Sequence, residues 1–182
     1  MGQTGPMTAD ALLRWSAPGM TAELIRGILV VREPPGAEHG LLADRFSYRL
    51  RQFVEAHDLG EVFAQDTGFK IGREPDTVRA PDVAFVSRSR LREIPTGYLE
   101  VAPDLIVEIV SPGDRPGEIL EKVGQWLAAG SRLVWVLDRP REPLRVYRAD
   151  GSVSLLGPDD VLDGEDVLPG FALPLSDLLR RP

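Results

Sequence analysis

Three residues in this chain carry charge where their surroundings discourage it, and together they suit phosphodiester hydrolysis. Glu108 lies in the middle of the apolar run LIVEIV, Leu105–Val110. An ionised carboxylate in such a run is costly to bury unless it is paired or bound to a cation. Glu108 therefore faces a polar cleft or meets something positive, a salt bridge being the plain alternative. Asp82 follows Pro81 and opens a second apolar stretch, DVAFV. Alone, Pro-Asp reads as a turn or cap. With Glu108 on an adjacent strand, the two carboxylates would converge on one edge of a sheet and repel unless a cation lay between them. Mg²⁺ or Mn²⁺ takes hard oxygen ligands in this way. Lys122 stands three residues after Ile119 and four before Trp126, so its stem borders the buried face of a helix. It either holds the attacking water or steadies charge on a phosphate, or it is a solvated lysine whose stem lies on the core. Metal-activated water, carboxylates to hold the metal and a supporting cation make up a hydrolytic set that needs no cysteine, and the chain has none.

These residues need a sheet with helices against it. Thr8–Ala17 has the pattern of a short helix anchored by Leu12, Leu13 and Trp15. Glu23–Arg32, ELIRGILVVR, is two strand-prone pieces around Gly27, a hairpin or bulged strand. Ala37–His57 has helical periodicity through Leu42, Phe46, Leu50 and Phe53, with His39 on or beside the buried face. Glu61–Ile71 and Val78–Val86 flank a turn-forming cluster and predict an antiparallel pair. Leu105–Val110 and Leu133–Leu137 read as strands buried on both faces. The helix Glu118–Ala129 between them completes a βαβ unit with parallel strands. Leu144–Leu179 alternates short strands with turns at Asp150-Gly151 and Gly157-Pro158, a tail packed on the sheet. The fold class is α/β (α+β): helix, three strands, helix, strand, forming a mixed sheet with additional β-strands at both ends.

With 182 residues, 43% hydrophobic and 27% charged, the chain is expected to form one domain over 1–182, residues 1–18 being an N-terminal extension. No apolar run approaches a membrane span, and Met1–Pro18 lacks a signal-peptide pattern, so a cytoplasmic protein without a membrane partner is expected. The net charge of −7 argues against nucleic-acid binding by bulk electrostatics. It is compatible with a carboxylate site whose metal restores positive potential locally.

The segments RAPDVAFV, PDLIVEIVSPGD, EKVGQWLAAG and LVWVLDRP resemble, in order and spacing, the Uma2 family, also described as domain of unknown function 820. The resemblance extends to AELIRGIL, to the helix starting at His39 and to GEDVLPGFALPLSDLL, nearly the whole chain. It implies a restriction-endonuclease-like core of the PD-(D/E)XK nuclease superfamily. It also implies a metal site of Asp82 and Glu108, with Glu23 as a further ligand or a surface strand residue. The superfamily's lysine usually sits two residues after the strand acid, where this chain has Val110; in this family it is moved to the next helix, at Lys122. His39 matches a recurrent histidine, for phosphate binding, proton transfer or a core hydrogen bond. Asp104 and Ser111 match supporting or turn positions, and Asp138 a strand-end cap. Arg88, Arg90 and Arg92 either touch phosphates or are surface arginines among acids.

The expected function is therefore a Mg²⁺- or Mn²⁺-dependent endonuclease acting on DNA, with a homodimer suited to cutting a duplex. The alternative is a catalytically inactive nuclease fold serving as a nucleic-acid or protein binding and regulatory module.

Overall fold

A computed structural model describes residues 5–138 and 143–179. A short helix α1 (Ala9–Leu13) leads into a hairpin of β1 (Thr21–Ile25) and β2 (Ile28–Arg32), followed by the long helix α2 (Ala37–Ala56). Four strands follow: β3 (Gly60–Phe63), β4 (Phe69–Gly72), β5 (Thr77–Arg79) and β6 (Val83–Ser87). Then come β7 (Leu105–Ile109), α3 (Pro116–Ala128), β8 (Leu133–Leu137), β9 (Leu144–Arg148) and β10 (Val153–Leu156). A small hairpin of β11 (Val161–Asp163) and β12 (Ala172–Pro174) and a last helical turn α4 (Leu175–Leu178) close the described chain.

The larger sheet has the order β10-β9-β8-β7-β6-β3. Only β7 and β8 run parallel, as the βαβ reading requires; the other neighbours are antiparallel. Side chains alternate between the two faces of a strand, and the burial follows that alternation. Leu105, Val107 and Ile109 of β7 pack with Leu42, Phe46 and Leu50 of α2, beneath Trp135 and Phe171. Ile106, Val134 and Val136 pack with Val123 and Trp126 of α3 on the opposite face. Glu108 shares its parity with Ile106, so the strand period turns it toward α3. The β11–β12 hairpin and α4 cover the α2 face through Leu162, Leu173, Leu175 and Leu178.

The expected antiparallel pair is realised, but twice and in two sheets. Glu61–Ile71 is interrupted by a turn in which the Thr67 N–H donates to the Ala64 carbonyl and Asp66 takes φ +66°. Val78–Val86 is interrupted at Ala80-Pro81, because proline has no N–H for the ladder and restricts the residue before it. Consequently β3 pairs with β6 in the larger sheet, while β4 pairs with β5 in a second sheet of order β2-β1-β5-β4. Two other expectations change in extent. The N-terminal helix is only five residues long, capped by the Thr8 side chain. The C-terminal segment contributes β9 and β10 to the sheet itself, not merely a tail upon it.

The β1–β2 hairpin is closed by Arg26 and Gly27, both with positive φ, and Ile25 pairs directly with Ile28. Two-residue turns of twisted hairpins demand that backbone. A Cβ on Gly27 would also stand 2.3 Å from Pro6 Cβ. Gly27→Ala is expected to cost about 1–3 kcal/mol, read as a lower urea midpoint with unchanged slope; an unchanged midpoint would refute this account of the turn.

Candidate active site

The site forms where the two sheets part. The β6/β7 register ends with Val83 opposite Val107; one step further brings Asp82, just after the Pro81 break, opposite Glu108. The Asp82 Oδ2 accepts the Ile109 backbone N–H at 2.6 Å, which ties the start of one strand to the end of the other. His39, from the first turn of α2, places Nε2 3.3 Å from the same oxygen. Gln65, in the turn between β3 and β4, donates from Nε2 to Asp82 Oδ1 at 3.3 Å and lies 3.2 Å from His39 Nδ1. Burial pushes the Asp82 carboxyl up, but the His39 hydrogen bond and the Lys122 charge outweigh it and hold the group below the ordinary aspartate value. Burial likewise pushes the His39 imidazole down, and the hydrogen bond and charge of Asp82 lift it above its ordinary value.

Glu108 is 4% exposed. Its Oε2 accepts from Lys122 Nζ at 2.7 Å and its Oε1 from the Trp126 indole N–H at 2.9 Å. Lys122 and Trp126 lie four residues apart on α3 and so share one helix face. Lys122 also donates to the Ala80 carbonyl at 3.3 Å and has Glu23 Oε1 at 3.6 Å. Burial pushes Glu108 up to about 7; the Lys122 charge opposes this, while Asp82 and Glu23 add to it. Burial alone would lower Lys122, but Glu108, Glu23 and Asp82 raise it above the ordinary lysine value.

Glu23 arrives on β1 of the smaller sheet. Its Oε2 accepts from Arg79 Nη1 at 2.8 Å and its Oε1 from the Ala80 N–H at 2.9 Å. Burial pushes it up, but Lys122 and Arg79 hold it below the ordinary glutamate value. Arg79 is itself buried and donates through Nε to Gln125 Oε1 at 2.8 Å.

The structure thus brings together all five residues singled out from the sequence: Asp82, Glu108, Lys122, Glu23 and His39. Three carboxylates face two permanent cations, Lys122 and Arg79; the upward shift of Glu108 comes first from its burial, with Asp82 and Glu23 adding to it. Among the described residues, no group of three or more His, Asp and Glu side chains has an arrangement that could hold a metal ion.

Sequence reasoning missed Gln65, Arg79, Trp126 and Gln125 as parts of the site. Arg79 had a usable signal, since an arginine two residues before Pro81 in a strand otherwise buried calls for an acid partner. Trp126 carries the apolar helix face and donates to Glu108 as well, a second role that spacing does not reveal.

The remaining candidates lie outside this cluster. Asp104 is buried and accepts from the Ser87 N–H at 2.8 Å and from Arg90 at 2.9 Å. Arg88 pairs with Asp58, and Arg92 is exposed. The Ser111 N–H donates to Asp114 Oδ2 at 2.7 Å in a turn. Asp138 pairs with Arg145 at 3.0 Å. A cleft of about 410 Å³ lies beside these last residues, between Val110 and Ile119. No helix among the described residues is long and apolar enough to cross a membrane.

Comparison with known proteins bears on the family and the fold. The Uma2 family, described as "Putative restriction endonuclease", matches residues 9–176. A crystal structure described as "a putative nuclease belonging to DUF820 from Anabaena variabilis ATCC 29413" superposes with a TM-score of 0.82 at 21% identity. The superposition covers 96% of this chain and 98% of that one. No curated protein matches the chain.

Proposed function

This chain belongs to the Uma2 family, and from that premise we propose that it is a divalent-metal-dependent endonuclease hydrolysing phosphodiester bonds of DNA. Its fold is the restriction-endonuclease-like one, shared with the Anabaena protein. The observation that best supports the activity is the meeting of Asp82, Glu108 and Lys122, each from a separate element, where the two sheets part.

The donor set suits Mg²⁺ or Mn²⁺, because Mg²⁺ is commonly held by one or two carboxylates with water and substrate phosphate, not by an all-protein cage. Asp82 and Glu108 would hold it. When bound, such an ion supplies water of lowered pKa and neutralises phosphate charge. Lys122 keeps its proton throughout neutral pH, so it donates and does not act as a base. Two of its N–H groups serve Glu108 and Ala80; among the described residues the third has Glu23 at 3.6 Å, and it is the one that would turn to a phosphate oxygen. Glu23 and Arg79 neutralise one another and keep Lys122 in place. In this reading Glu23 would join the metal only if Arg79 were displaced.

Supercoiled plasmid incubated with Mg²⁺ or Mn²⁺ should be relaxed, EDTA should stop the reaction, and Asp82→Ala and Glu108→Ala should each abolish it. Undiminished relaxation by both variants would sink the assignment.

A second reading, an inactive binding or regulatory module, is favoured by one observation. All three carboxylates already accept hydrogen bonds from protein donors. It predicts no cleavage with any divalent ion and no rise in melting temperature with Mn²⁺. A clear rise would count against it, because a ligand that binds only the folded state must stabilise that state.

A further inference from the structure

Gln65 lies in the turn that separates β3 from β4, and its side chain reaches both His39 and Asp82. We propose that Gln65 is a positioning residue that fixes His39 in the Nε2–H tautomer, so that His39 orients the Asp82 carboxylate instead of accepting a proton from the attacking water. The role in catalysis rests on the nuclease reading; the tautomer does not.

The argument is one of matching donors to acceptors. An ionised carboxylate only accepts hydrogen bonds, so the end of the Gln65 amide that lies 3.3 Å from Asp82 Oδ1 is its NH₂ group. The reversed amide would set two oxygens against each other. The same NH₂ has a second hydrogen, and His39 Nδ1 lies 3.2 Å away. That ring nitrogen must therefore offer a lone pair. A neutral imidazole that accepts at Nδ1 carries its proton on Nε2, and Nε2 is the nitrogen 3.3 Å from Asp82 Oδ2. With this assignment every hydrogen in the trio meets an acceptor.

The consequence for Asp82 is specific. Its Oδ2 accepts the Ile109 N–H and has His39 Nε2 3.3 Å away. Its Oδ1 accepts from Gln65. Groups from β7, α2 and the β3–β4 turn thus meet the carboxylate from three sides. A histidine whose N–H faces a carboxylate and the Ile109 backbone, and whose lone pair is covered by an amide, has no atom left for proton abstraction. Of the three roles open to His39 from sequence, this leaves the hydrogen-bonding one.

The chain's other histidine supplies an internal reference. His57 Nδ1 lies 2.8 Å from the Phe53 carbonyl oxygen, which can only accept, so His57 carries its proton on Nδ1. The two histidines should hold opposite tautomers.

Ring-nitrogen NMR of the full chain, at a pH alkaline enough to keep both wild-type imidazoles neutral, tests this directly. The wild type should have His39 protonated at Nε2 and His57 at Nδ1. In Gln65→Leu, where only Asp82 still favours Nε2–H, the preference should weaken and the Nδ1–H form should become detectable. In Gln65→Glu, where the new ionised side chain can only accept, Nδ1 should become protonated in addition to Nε2. Unchanged His57 signals confirm that each variant is folded, and a variant that does not fold leaves the wild-type measurement to decide. A wild-type His39 protonated at Nδ1, or the wild-type pattern persisting in folded Gln65→Glu, overturns the proposal. In the plasmid assay, Gln65→Leu should lower kcat about 10–100-fold, the usual cost of losing a residue that orients a metal ligand, with KM for DNA unchanged. An unaltered kcat beside an altered tautomer overturns the positioning role. No cleavage by the wild type sinks the nuclease reading and leaves the tautomer to NMR.

Discussion

Lys122→Met is expected to destabilise the protein by about 3–5 kcal/mol, and adding Glu108→Gln to it should restore most of that loss. Removing one partner of a buried pair leaves the other charge without compensation, and this is the costly step. Glu108 would keep only the Trp126 indole N–H, which cannot replace a positive charge 2.7 Å away. At roughly 2–4 °C per kcal/mol for a domain of this size, the single variant should melt roughly 6–20 °C lower. The double variant removes both desolvated charges together, so its stability should approach or exceed that of the wild type, a strong coupling in a double-mutant cycle.

The pH dependence has a definite sign. Glu108 has a folded pKa of about 7, above its ordinary 4.5. A raised carboxyl contributes stability that is fully present below the unfolded value and lost as pH rises through the folded one. Wild-type stability should therefore lose a contribution of order 3 kcal/mol between about pH 4.5 and 7. In the double variant that loss should be absent. Lys122, also raised, keeps its contribution across the whole of this window. Denaturant melts of the four proteins at pH 5 and pH 8 decide the matter. A double variant no more stable than Lys122→Met would show that the pair is not the source of the cost.

Asp82→Asn is expected to lower metal-dependent cleavage by about 10³-fold or more, because one of two carboxylates that would hold the ion loses its charge. The Mn²⁺-induced rise in melting temperature should disappear with it. The fold should survive, since asparagine can still accept the Ile109 N–H through its own oxygen. The cost to stability at neutral pH should be about 1–3 kcal/mol, for hydrogen bonds that lose their charged acceptor. Here the pH dependence runs the other way. Asp82 is held below its ordinary 3.8, so its contribution is present above that value and lost as pH falls through the folded pKa. The stability gap between wild type and Asp82→Asn should close as the solution is acidified below about pH 4. A gap that persists in acid would mean that the substitution disturbs packing rather than charge.

Much of this arrangement was legible from the residues. LIVEIV and LVWVL announced buried strands, the helix between them announced a parallel pair, and a charge inside LIVEIV announced a partner. The partner itself could be placed on the correct helix face because Lys122 and Trp126 lie one turn apart. What was not legible arises from contacts distant in sequence. Nothing near Glu23 indicates that Arg79, 56 residues away, will occupy one of its oxygens. Nothing near Gln65 indicates that a turn will carry it to a histidine and an aspartate at once. The division of one expected strand pair into two sheets was also hidden. Pro81 warned of a break in one segment, but the matching break at Asp66 depends on a turn whose backbone only the folded chain reveals.

That division gives the molecule a line of weakness through its most polar interior. The smaller sheet contributes Glu23 and Arg79; the larger sheet and its helices contribute Asp82, Glu108, Lys122 and His39. Loosening of the smaller sheet alone would wet the charged cluster while the ten paired residues of the β7–β8 ladder stayed zipped. Water and ions would then reach Glu108 through a partial opening, with no need for global unfolding. The buried charge of Glu108 would then be guarded by a part that can detach on its own.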